Sequence, residues 1–246
     1  MVLVWLIGAG VGLLGGLFGK GGSAVATPLL HLAGVPAFAA LASPLPATVP
    51  ATAAAAATYW RGGYIDRRVL AWTVSCGLPA TVAGALATQW VGGGLLIVAT
   101  DVVVAALGLR FLLKPARAPN GQDPTGAAAG RTRLVAVAVT VGLVSGLLAN
   151  SGGFLLAPLF VIVLGLPIKR ALATSLAAAC VLAVPGTIVH AALGHVDWAI
   201  VAVFGLASVP LSAVGARLAL RADSTTLERG YGAVLTTIGL GLLAVA

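Results

Sequence analysis

Charged side chains are scarce in this sequence: Asp, Glu, Lys and Arg make up only 8% of its 246 residues. A soluble globular domain carries about 25% of these residues. They are absent from residues 21–60, 69–100 and 134–168, and a helix needs about 20 apolar residues to cross a hydrocarbon core of ~30 Å. The scarcity of charge excludes a soluble enzyme and a disordered chain. It predicts an all-α polytopic membrane protein.

Catalytic and cofactor signatures are also missing. The sequence has no Walker A motif, no HExxH, no Gly-x-Ser-x-Gly and no carboxylates paired at catalytic spacing. Its two cysteines, Cys76 and Cys180, each lie inside an apolar run, as small buried hydrophobes do. The histidines show no metal-ligand spacing. These absences predict that the chain is not an enzyme, is not driven by ATP, and holds no cofactor or metal.

The formal net charge of +8 comes from basic residues that separate the apolar runs and form no face with interleaved aromatics. This pattern predicts orientation in a membrane rather than nucleic-acid binding. The positive-inside rule places inside the basic loops at 61–68, 114–133, 169–170 and 221–229. It places outside the turns near 35–37, 91–94 and 194–197. Both termini are then predicted to lie outside.

Charge, glycine and proline divide the chain into ten apolar segments. The one long polar connection is rich in proline and glycine, which is typical of a linker. It predicts a first transmembrane repeat at 1–114, a cytoplasmic linker at 115–133 and a second transmembrane repeat at 134–246. The segments are 2–19, 21–34, 37–60, 69–90, 94–113, 134–149, 152–167, 171–193, 198–220 and 230–246.

The two halves repeat each other in one register. The loop at 61–68 is predicted inside, whereas its counterpart at 194–197 is predicted outside, so the halves are expected to be inverted relative to each other. With a shift of 131 residues, Gly15 falls on Gly146, Gly21-Gly22 on Gly152-Gly153, Gly34-Val35-Pro36 on Gly165-Leu166-Pro167, Ala42-Ser43 on Ala173-Thr174, Gly63-Tyr64-Ile65-Asp66 on Gly194-His195-Val196-Asp197, and Gly84-Ala85 on Gly215-Ala216.

Each half opens with a glycine-spaced segment that is followed by a glycine-rich break. The spacing of Gly8, Gly12 and Gly16 is typical of close helix packing, with a sliding face as the alternative. The first two segments of each half are short, so they either cross obliquely or form a re-entrant hairpin. The two breaks are expected to meet near the midplane, where inverted-repeat transporters place their substrate.

The two breaks are the predicted substrate site, because glycine runs expose N–H groups where the next helix begins and such a terminus attracts anions. A lysine in the first break adds positive charge, unless it snorkels to the interface. Hydroxyls early in the third segment are further candidate donors. The alternative for them is a bond to the carbonyl four residues earlier, which we favour for Thr48. The predicted substrate-binding residues are Lys20, Gly21, Gly22, Ser23, Ser43, Asn150, Ser151, Gly152, Gly153, Thr174 and Ser175.

Few titratable groups interrupt the apolar segments. Asp101 is a candidate coupling group for protons or sodium, because intramembrane carboxylates mark relays, although a structural role is the alternative. Asp66 and Asp197 recur at matching loop positions and are predicted to be helix N-caps. The three histidines could titrate near neutral pH, but we interpret them as core or interface residues. They are His31, His190 and His195.

Residues 16–23, Gly-Leu-Phe-Gly-Lys-Gly-Gly-Ser, followed by Pro28-Leu29-Leu30, resemble the opening of the sulfite exporter TauE/SafE family of membrane permeases. The resemblance covers nearly the whole chain and both repeats. It implies secondary transport of a small sulfur-containing anion across a bacterial inner membrane. The chain departs from the family pattern at Lys20, where many members have a small or apolar residue, and at Ala42-Ser43-Pro44. Further matches are at 150–154, Ala157-Pro158-Leu159, 165–167, 173–176 and 194–197.

The favoured function is a secondary transporter, an exporter or permease, of a small sulfur-containing or organic anion such as sulfite or a sulfonate, working by alternating access. The alternatives are an anion channel and an intramembrane enzyme. General acid–base chemistry needs a titratable pair, which disfavours the enzyme. The expected partners are the small anionic substrate, the lipid bilayer and, in a homodimer, a second copy of the chain. No nucleic acid is expected.

Overall fold

The computed structural model describes residues 1–19, 23–91 and 130–227, and also residues 95, 96, 98, 99, 102, 229, 230, 233 and 237. Every regular element in these ranges is helical, so the all-α prediction is confirmed for them. Most of the predicted segments at 94–113 and 230–246, and the linker as far as residue 129, lie outside the described residues.

The helices follow the predicted apolar segments closely. They are α1 Val2–Phe18, α2 Ser23–Leu32, α3 Ala37–Ala42, α4 Pro44–Arg61, α5 Arg67–Ala87, α6 Arg131–Leu147, α7 Gly153–Ile162, α8 Ile168–Ala192 and α9 Trp198–Arg221, with a 3-10 turn at Thr88–Trp90 after α5.

Helix length separates membrane-crossing elements from shorter ones. Within the residues that the structure describes, four runs of 24 or 25 residues are long and apolar enough to cross a membrane, since each rises about 36 Å. In contrast, α2 and α7 each have 10 residues, which is about 15 Å of rise and half of the hydrocarbon core. These lengths favour the re-entrant alternative for the second segment of each half. The four runs are Ala37–Arg61, Arg67–Trp90, Ile168–Ala192 and Trp198–Arg221.

The glycine-spaced helices pack closely on a helix of the other half. A Cβ added to Gly8 on α1 would lie 2.7 Å from the carbonyl oxygen of Phe204, and one on Gly16 would overlap the backbone of Ser212. The contacts advance in the same order along both helices, so α1 and α9 run parallel. In the same way α6 packs on α5, with Gly142 against Gly77. Close packing through these glycines is confirmed.

The packing also refines the register of the repeat. Gly16 meets Ser212 and Ala216, whereas Gly146 meets Thr81 and Ala85. The partners in α5 and α9 are 131 residues apart, but the two glycines are 130 apart. Gly146 is therefore the contact equivalent of Gly16 and not of Gly15. One additional residue in the second half lies between α7 and α8, because Pro28 and Pro158 are also 130 apart while Gly34 and Gly165 are 131 apart.

Helices α4 and α8 cross at the centre and run in opposite directions. Leu45 contacts Gly186, and further along α4 the carbonyl of Val49 accepts a hydrogen bond from the thiol of Cys180 at 3.5 Å. Val49 and Cys180 are equivalent positions of the two halves in the 131-residue register. The crossing therefore lies where the two halves meet, and we call it the central crossing.

Basic side chains collect at one end of the bundle, which we call the basic end. Helix α4 ends there, the parallel helices α5 and α6 begin there, and the Lys169 amino group donates to the carbonyl of Leu220 at the end of α9, 3.1 Å away. The turns at 33–36 and 193–197 lie at the opposite end and carry no Lys or Arg. The residues of the basic end are Arg61, Arg67, Arg68, Arg131, Arg133, Lys169, Arg170 and Arg221.

Candidate functional site

The first break is held by a serine of the opposite half. Helix α1 ends at Gly19, whose φ of +66° is the left-handed conformation that glycine adopts readily. The buried Ser175 hydroxyl lies 3.1 Å from the carbonyl oxygen of Gly19 and 2.9 Å from that of Leu172. A hydroxyl has one proton to donate, so it serves one of these two carbonyls at a time or shares the proton between them.

The second break is a buried polar turn. Ala149 has a φ of +48° and Gly152 a φ of +76°. Between them, the N–H of Asn150 donates to the carbonyl of Ser145 at 2.7 Å, and the Asn150 side-chain oxygen accepts from the N–H of Gly152 at 3.3 Å. Asn150 and Ser151 are both buried, and the carbonyl of Gly152 accepts the first hydrogen bonds of α7. The predicted residues Asn150, Ser151, Gly152 and Gly153 therefore lie together.

The described parts of the two breaks lie on opposite sides of the central crossing. Gly19 packs against Leu172 and Ser175, whereas Ala149 packs with Leu41 and Ala42. Ser175 precedes Cys180 on α8 and Ala42 precedes Val49 along α3 and α4, and these helices are antiparallel. At 1.5 Å per residue, the two turns are about 18 Å apart along the bundle. The expected meeting at the midplane is therefore not made by Gly19 and Ala149.

Part of the predicted site cannot be placed. Lys20, Gly21 and Gly22 lie outside the described residues. Ser23 begins α2, but its side chain is also outside them. The candidate coupling residue Asp101 lies outside the described residues as well. The anion site expected at the first break is thus represented only by its neighbours, Gly19 and Ser175.

Two predicted site hydroxyls hold the turns of the opposite half. Thr174 Oγ1 accepts the backbone N–H of Asp66 at 3.0 Å, and Ser43 Oγ accepts the backbone N–H of Asp197 at 2.9 Å. Both hydroxyls are fully buried. Neither bond is the back-bonding that was the alternative for these residues. Each hydroxyl oxygen is therefore committed to a turn, while its proton can still be donated elsewhere.

Three local predictions are confirmed by hydrogen bonds. Thr48 Oγ1 donates to the carbonyl of Pro44 at 3.0 Å, four residues earlier, as favoured for that residue. The Asp66 carboxylate accepts the N–H groups of Arg68 and Val69, and the Asp197 carboxylate caps α9 in the same way. Both aspartates are N-caps.

Sequence reasoning missed several buried polar groups near the breaks. The Ser145 hydroxyl lies beside Gly152, so close that a Cβ added to Gly152 would be 2.6 Å from it. This hydroxyl has no hydrogen-bond partner among the described residues. Tyr59 is fully buried and its hydroxyl is also unpartnered there. The signal for Ser145 was a hydroxyl in the apolar segment 134–149, five residues before Asn150. His190 and His195 form a contact that their spacing does not predict.

The buried polar side chains suit an anion. Among the described residues they are Ser, Thr and Asn with one histidine, His190, and none is Asp, Glu, Lys or Arg. Hydroxyls, amides and N–H groups can donate to an oxyanion, whereas a carboxylate would repel it. No group of three or more His, Cys, Asp or Glu that could hold a metal ion occurs in the described ranges. This donor set can bind an anion through hydrogen bonds.

Known proteins match the chain over nearly its full length. It is 29% identical over 245 residues to a "Probable membrane transporter protein" of Xylella fastidiosa (strain 9a5c), covering 97% of this chain and 94% of that protein. It is 25% identical over 253 residues to the "Probable membrane transporter protein YjnA" of Bacillus subtilis (strain 168), covering 98% and 99%. No solved structure matches it at a significant level. The model of the family "Sulfite exporter TauE/SafE" matches residues 4–242. The chain therefore belongs to the sulfite exporter TauE/SafE family.

Proposed function

We propose that this chain is a secondary transporter of a small sulfur-containing or organic anion, such as sulfite or a sulfonate, and that it works by alternating access between two inverted halves. Family membership supports the transporter class, and both similar proteins carry the name of a probable membrane transporter. The observation that carries the mechanism is the antiparallel course of equivalent helices.

The inverted arrangement rests on reciprocal contacts. Helices α4 and α8 are equivalent in the 131-residue register and run in opposite directions through the central crossing. The pairs Thr174–Asp66 and Ser43–Asp197 are the same bond made in both directions between the halves. Inverted repeats related in this way allow one half to rock against the other around a fixed site. Such a symmetry gives the protein two conformations with the same architecture, one open to each side of the membrane.

The orientation of the bundle follows from its charge. The basic end collects the described basic loops and helix ends, and the positive-inside rule places it in the cytoplasm of a bacterial inner membrane. Because α1 runs parallel to α9, Met1 belongs to the opposite end, outside. Helices α2 and α7 enter only half of the bilayer, one from each side.

A labelling experiment tests this topology. Arg61 and Ala192 are equivalent, exposed positions at the ends of α4 and α8. In a background with Cys76→Ser and Cys180→Ser, Arg61→Cys should react with a membrane-impermeant maleimide only from the cytoplasm, and Ala192→Cys only from outside. Labelling of both from the same side would contradict the inverted repeat and the mechanism built on it.

The substrate site we propose lies between the breaks, on both sides of the central crossing. The second break supplies Asn150, Ser151, the N–H group of Gly153 and the Ser145 hydroxyl, which has no hydrogen-bond partner among the described residues, while the Gly152 N–H would have to leave Asn150 Oδ1 to join them. The first break supplies Lys20 and the N–H groups beside it, with Ser175 at its edge. An anion at the second break would gain N–H and O–H donors, and an anion at the first break would also gain the positive charge of Lys20. The two breaks would therefore hold the substrate in turn rather than together.

Counterflow in proteoliposomes decides between the candidate functions. Liposomes loaded with unlabelled sulfite, sulfoacetate, sulfate or taurine are diluted into the same labelled compound. A transporter accumulates label transiently by exchange, a channel equilibrates without accumulation, and an enzyme changes the compound. Liposomes without protein are the control. If every labelled compound that enters the liposomes only equilibrates, without transient accumulation, the protein is an anion channel and not a transporter.

A further inference from the structure

His190 and His195 form a hydrogen-bonded pair beside the second break. Their Nδ1 atoms are 3.1 Å apart, and His190 Nε2 lies 3.1 Å from the carbonyl oxygen of Gly146, in the last turn of α6. The ring of His195 stacks on Phe38 of α3 at 4.4 Å between centroids and 14° between planes. His190 is buried, whereas His195 is partly exposed in the turn after α8.

The partners fix where the protons are. A carbonyl only accepts, so His190 Nε2 must carry a proton. Neutral histidine has one N–H, and His190 Nδ1 is then an acceptor. The bond between the rings therefore requires His195 Nδ1 to donate. The remaining nitrogen of the pair, His195 Nε2, is the one that can take up a proton without breaking either bond.

The pair is built to take one proton and pass it inwards. A proton that binds at His195 Nε2 makes this ring an imidazolium. Its Nδ1 proton can then move along the existing bond to His190 Nδ1, which leaves His195 neutral and His190 charged. A second proton would place two N–H groups face to face and break the bond, so the two rings titrate as a coupled unit.

The carbonyls around the inner ring would attract a cation, although burial of the charge opposes this attraction. Gly146 lies in the C-terminal turn of α6, where unpaired carbonyls carry partial negative charge, and cations are stabilised there by ~0.3–1 kcal/mol or more. Gly146 O also accepts the N–H of Ala149 at 3.2 Å, which starts the second break. A charge on His190 therefore acts on the carbonyl that holds the turn of the proposed anion site.

Among the described residues, one charged side chain follows the pair closely in the chain. Asp197 follows His195 by two residues, and its carboxylate accepts the N–H groups of Ala199 and Ile200. Helix α3 carries no ionisable side chain. The described basic side chains of α4, α5, α6, α8 and α9 lie toward the basic end, about 20 Å or more away along these helices. They are Arg61, Arg67, Arg68, Arg131, Arg133, Lys169, Arg170, Arg217 and Arg221.

The first half has no such pair. In the 131-residue register its residues at these positions are Tyr59 and Tyr64, which carry phenol hydroxyls in place of imidazole rings. We propose that the His190–His195 pair is a proton-binding site, open to the outer face, that couples uptake of one proton to the second break and makes anion transport proton-linked. The coupling rests on the proposed transport function, whereas proton binding by the pair does not. Burial lowers the pKa of His195, so a more acidic medium is needed to charge this ring than to charge a fully solvated histidine.

Proton binding can be measured without any substrate. The chain has three histidines, so protein labelled with ¹⁵N-histidine in nanodiscs gives three assignable rings. We expect His190 and His195 to share one proton, with the second taken up only at much lower pH. His190→Gln keeps an amide donor for Gly146 and should shift the titration of His195 by about 0.5–1 pH unit. Independent titration of both rings, or an unchanged His195 in His190→Gln, would overturn the site.

Transport measurements test the coupling. Sulfoacetate and sulfate keep their charge between about pH 5.5 and 7.5, so their counterflow reports on protein protons. Wild-type rates should change at least about threefold over this range, for a coupled group that titrates within it. His190→Gln and His195→Gln should flatten the profile, while His31→Gln should keep it. An unchanged profile in both pair variants overturns the coupling. No counterflow of any anion by wild-type protein refutes the transport function instead, and the titration still decides the proton site.

Discussion

The two halves make the same scaffold contacts with different residues, and their sites are not the same. Thr174 and Ser43 hold the turns at Asp66 and Asp197 by equivalent bonds. In contrast, Ser175, which bonds the first break, has Pro44 as its counterpart, and proline has no hydroxyl to offer. Contacts that position the halves are thus reciprocal, while contacts at the breaks are not.

The same division holds at the ends of α4 and α8. The positions of Tyr59 and His190 are equivalent, yet only His190 bonds the carbonyl at the start of a break. Helix α8 runs without interruption through Ser175, whereas α3 and α4 meet at Ser43, before Pro44. We infer that symmetric contacts preserve two architectures of similar energy, and that the asymmetric residues determine substrate and coupling.

The largest expected effect is a loss of stability at the two close helix contacts, and it tests whether these contacts are equivalent. Gly16→Ala and Gly146→Ala place a Cβ into the backbone of Ser212 and Thr81, so each should destabilise the fold by about 3 kcal/mol. Thermal unfolding in detergent measures this. Gly10→Ala is the matched control on α1, because a Cβ there meets nothing within 4 Å, and it should be neutral or slightly stabilising. A loss in only one glycine variant would mean that the two interfaces are not equivalent.

The second expected effect concerns the asymmetric charge of the first break. Lys20→Met removes a positive charge from the proposed site, and a hydrogen bond to a charged group contributes about 1.5–3 kcal/mol. Anion affinity, measured by thermal shift against sulfite and sulfoacetate, should fall roughly 10- to 100-fold. Lys169→Met is the control, because that amino group donates to Leu220 at the basic end. Wild-type affinity in Lys20→Met would make Lys20 an interface residue.

Local signals in the sequence were enough for the helices, the N-caps at Asp66 and Asp197 and the glycine packing faces. Helix partners were not predictable, because the same small-residue face fits any neighbouring helix. That α1 packs on α9 became evident only from contacts such as Gly16 with Ser212. The histidine pair was missed because residues five apart do not share a helix face. They meet because α8 ends at Ala192 and the chain turns back at Gly194.

A smaller effect tests whether the turns at Asp66 and Asp197 contribute equally to the free energy of unfolding. Asp66→Ala and Asp197→Ala each remove an N-cap that accepts two N–H groups, which costs about 1 kcal/mol. The two losses in unfolding free energy should agree within a few tenths of a kcal/mol, because the turns are equivalent. Asp66→Asn and Asp197→Asn are the controls, because asparagine keeps a capping oxygen and should cost little. Unequal losses would indicate that one of the two turns makes a further stabilising interaction. The first residue to examine would be His195, which lies two residues before Asp197.

The smallest expected effect separates site hydroxyls from scaffold hydroxyls. Ser175→Ala removes the proton shared between Gly19 and Leu172, and Thr174→Val removes the acceptor for the Asp66 N–H on the neighbouring residue. A neutral hydrogen bond contributes about 0.5–1.5 kcal/mol, so either change is small, but they should act on different quantities. Thr174→Val should lower the melting temperature and leave the apparent affinity in counterflow unchanged, because its hydroxyl holds a turn. Ser175→Ala should weaken that affinity a few-fold with little change in stability, because its carbonyl partner is at the edge of the first break. The opposite pattern would place the substrate beside the turn at Asp66 and move the proposed site toward the basic end.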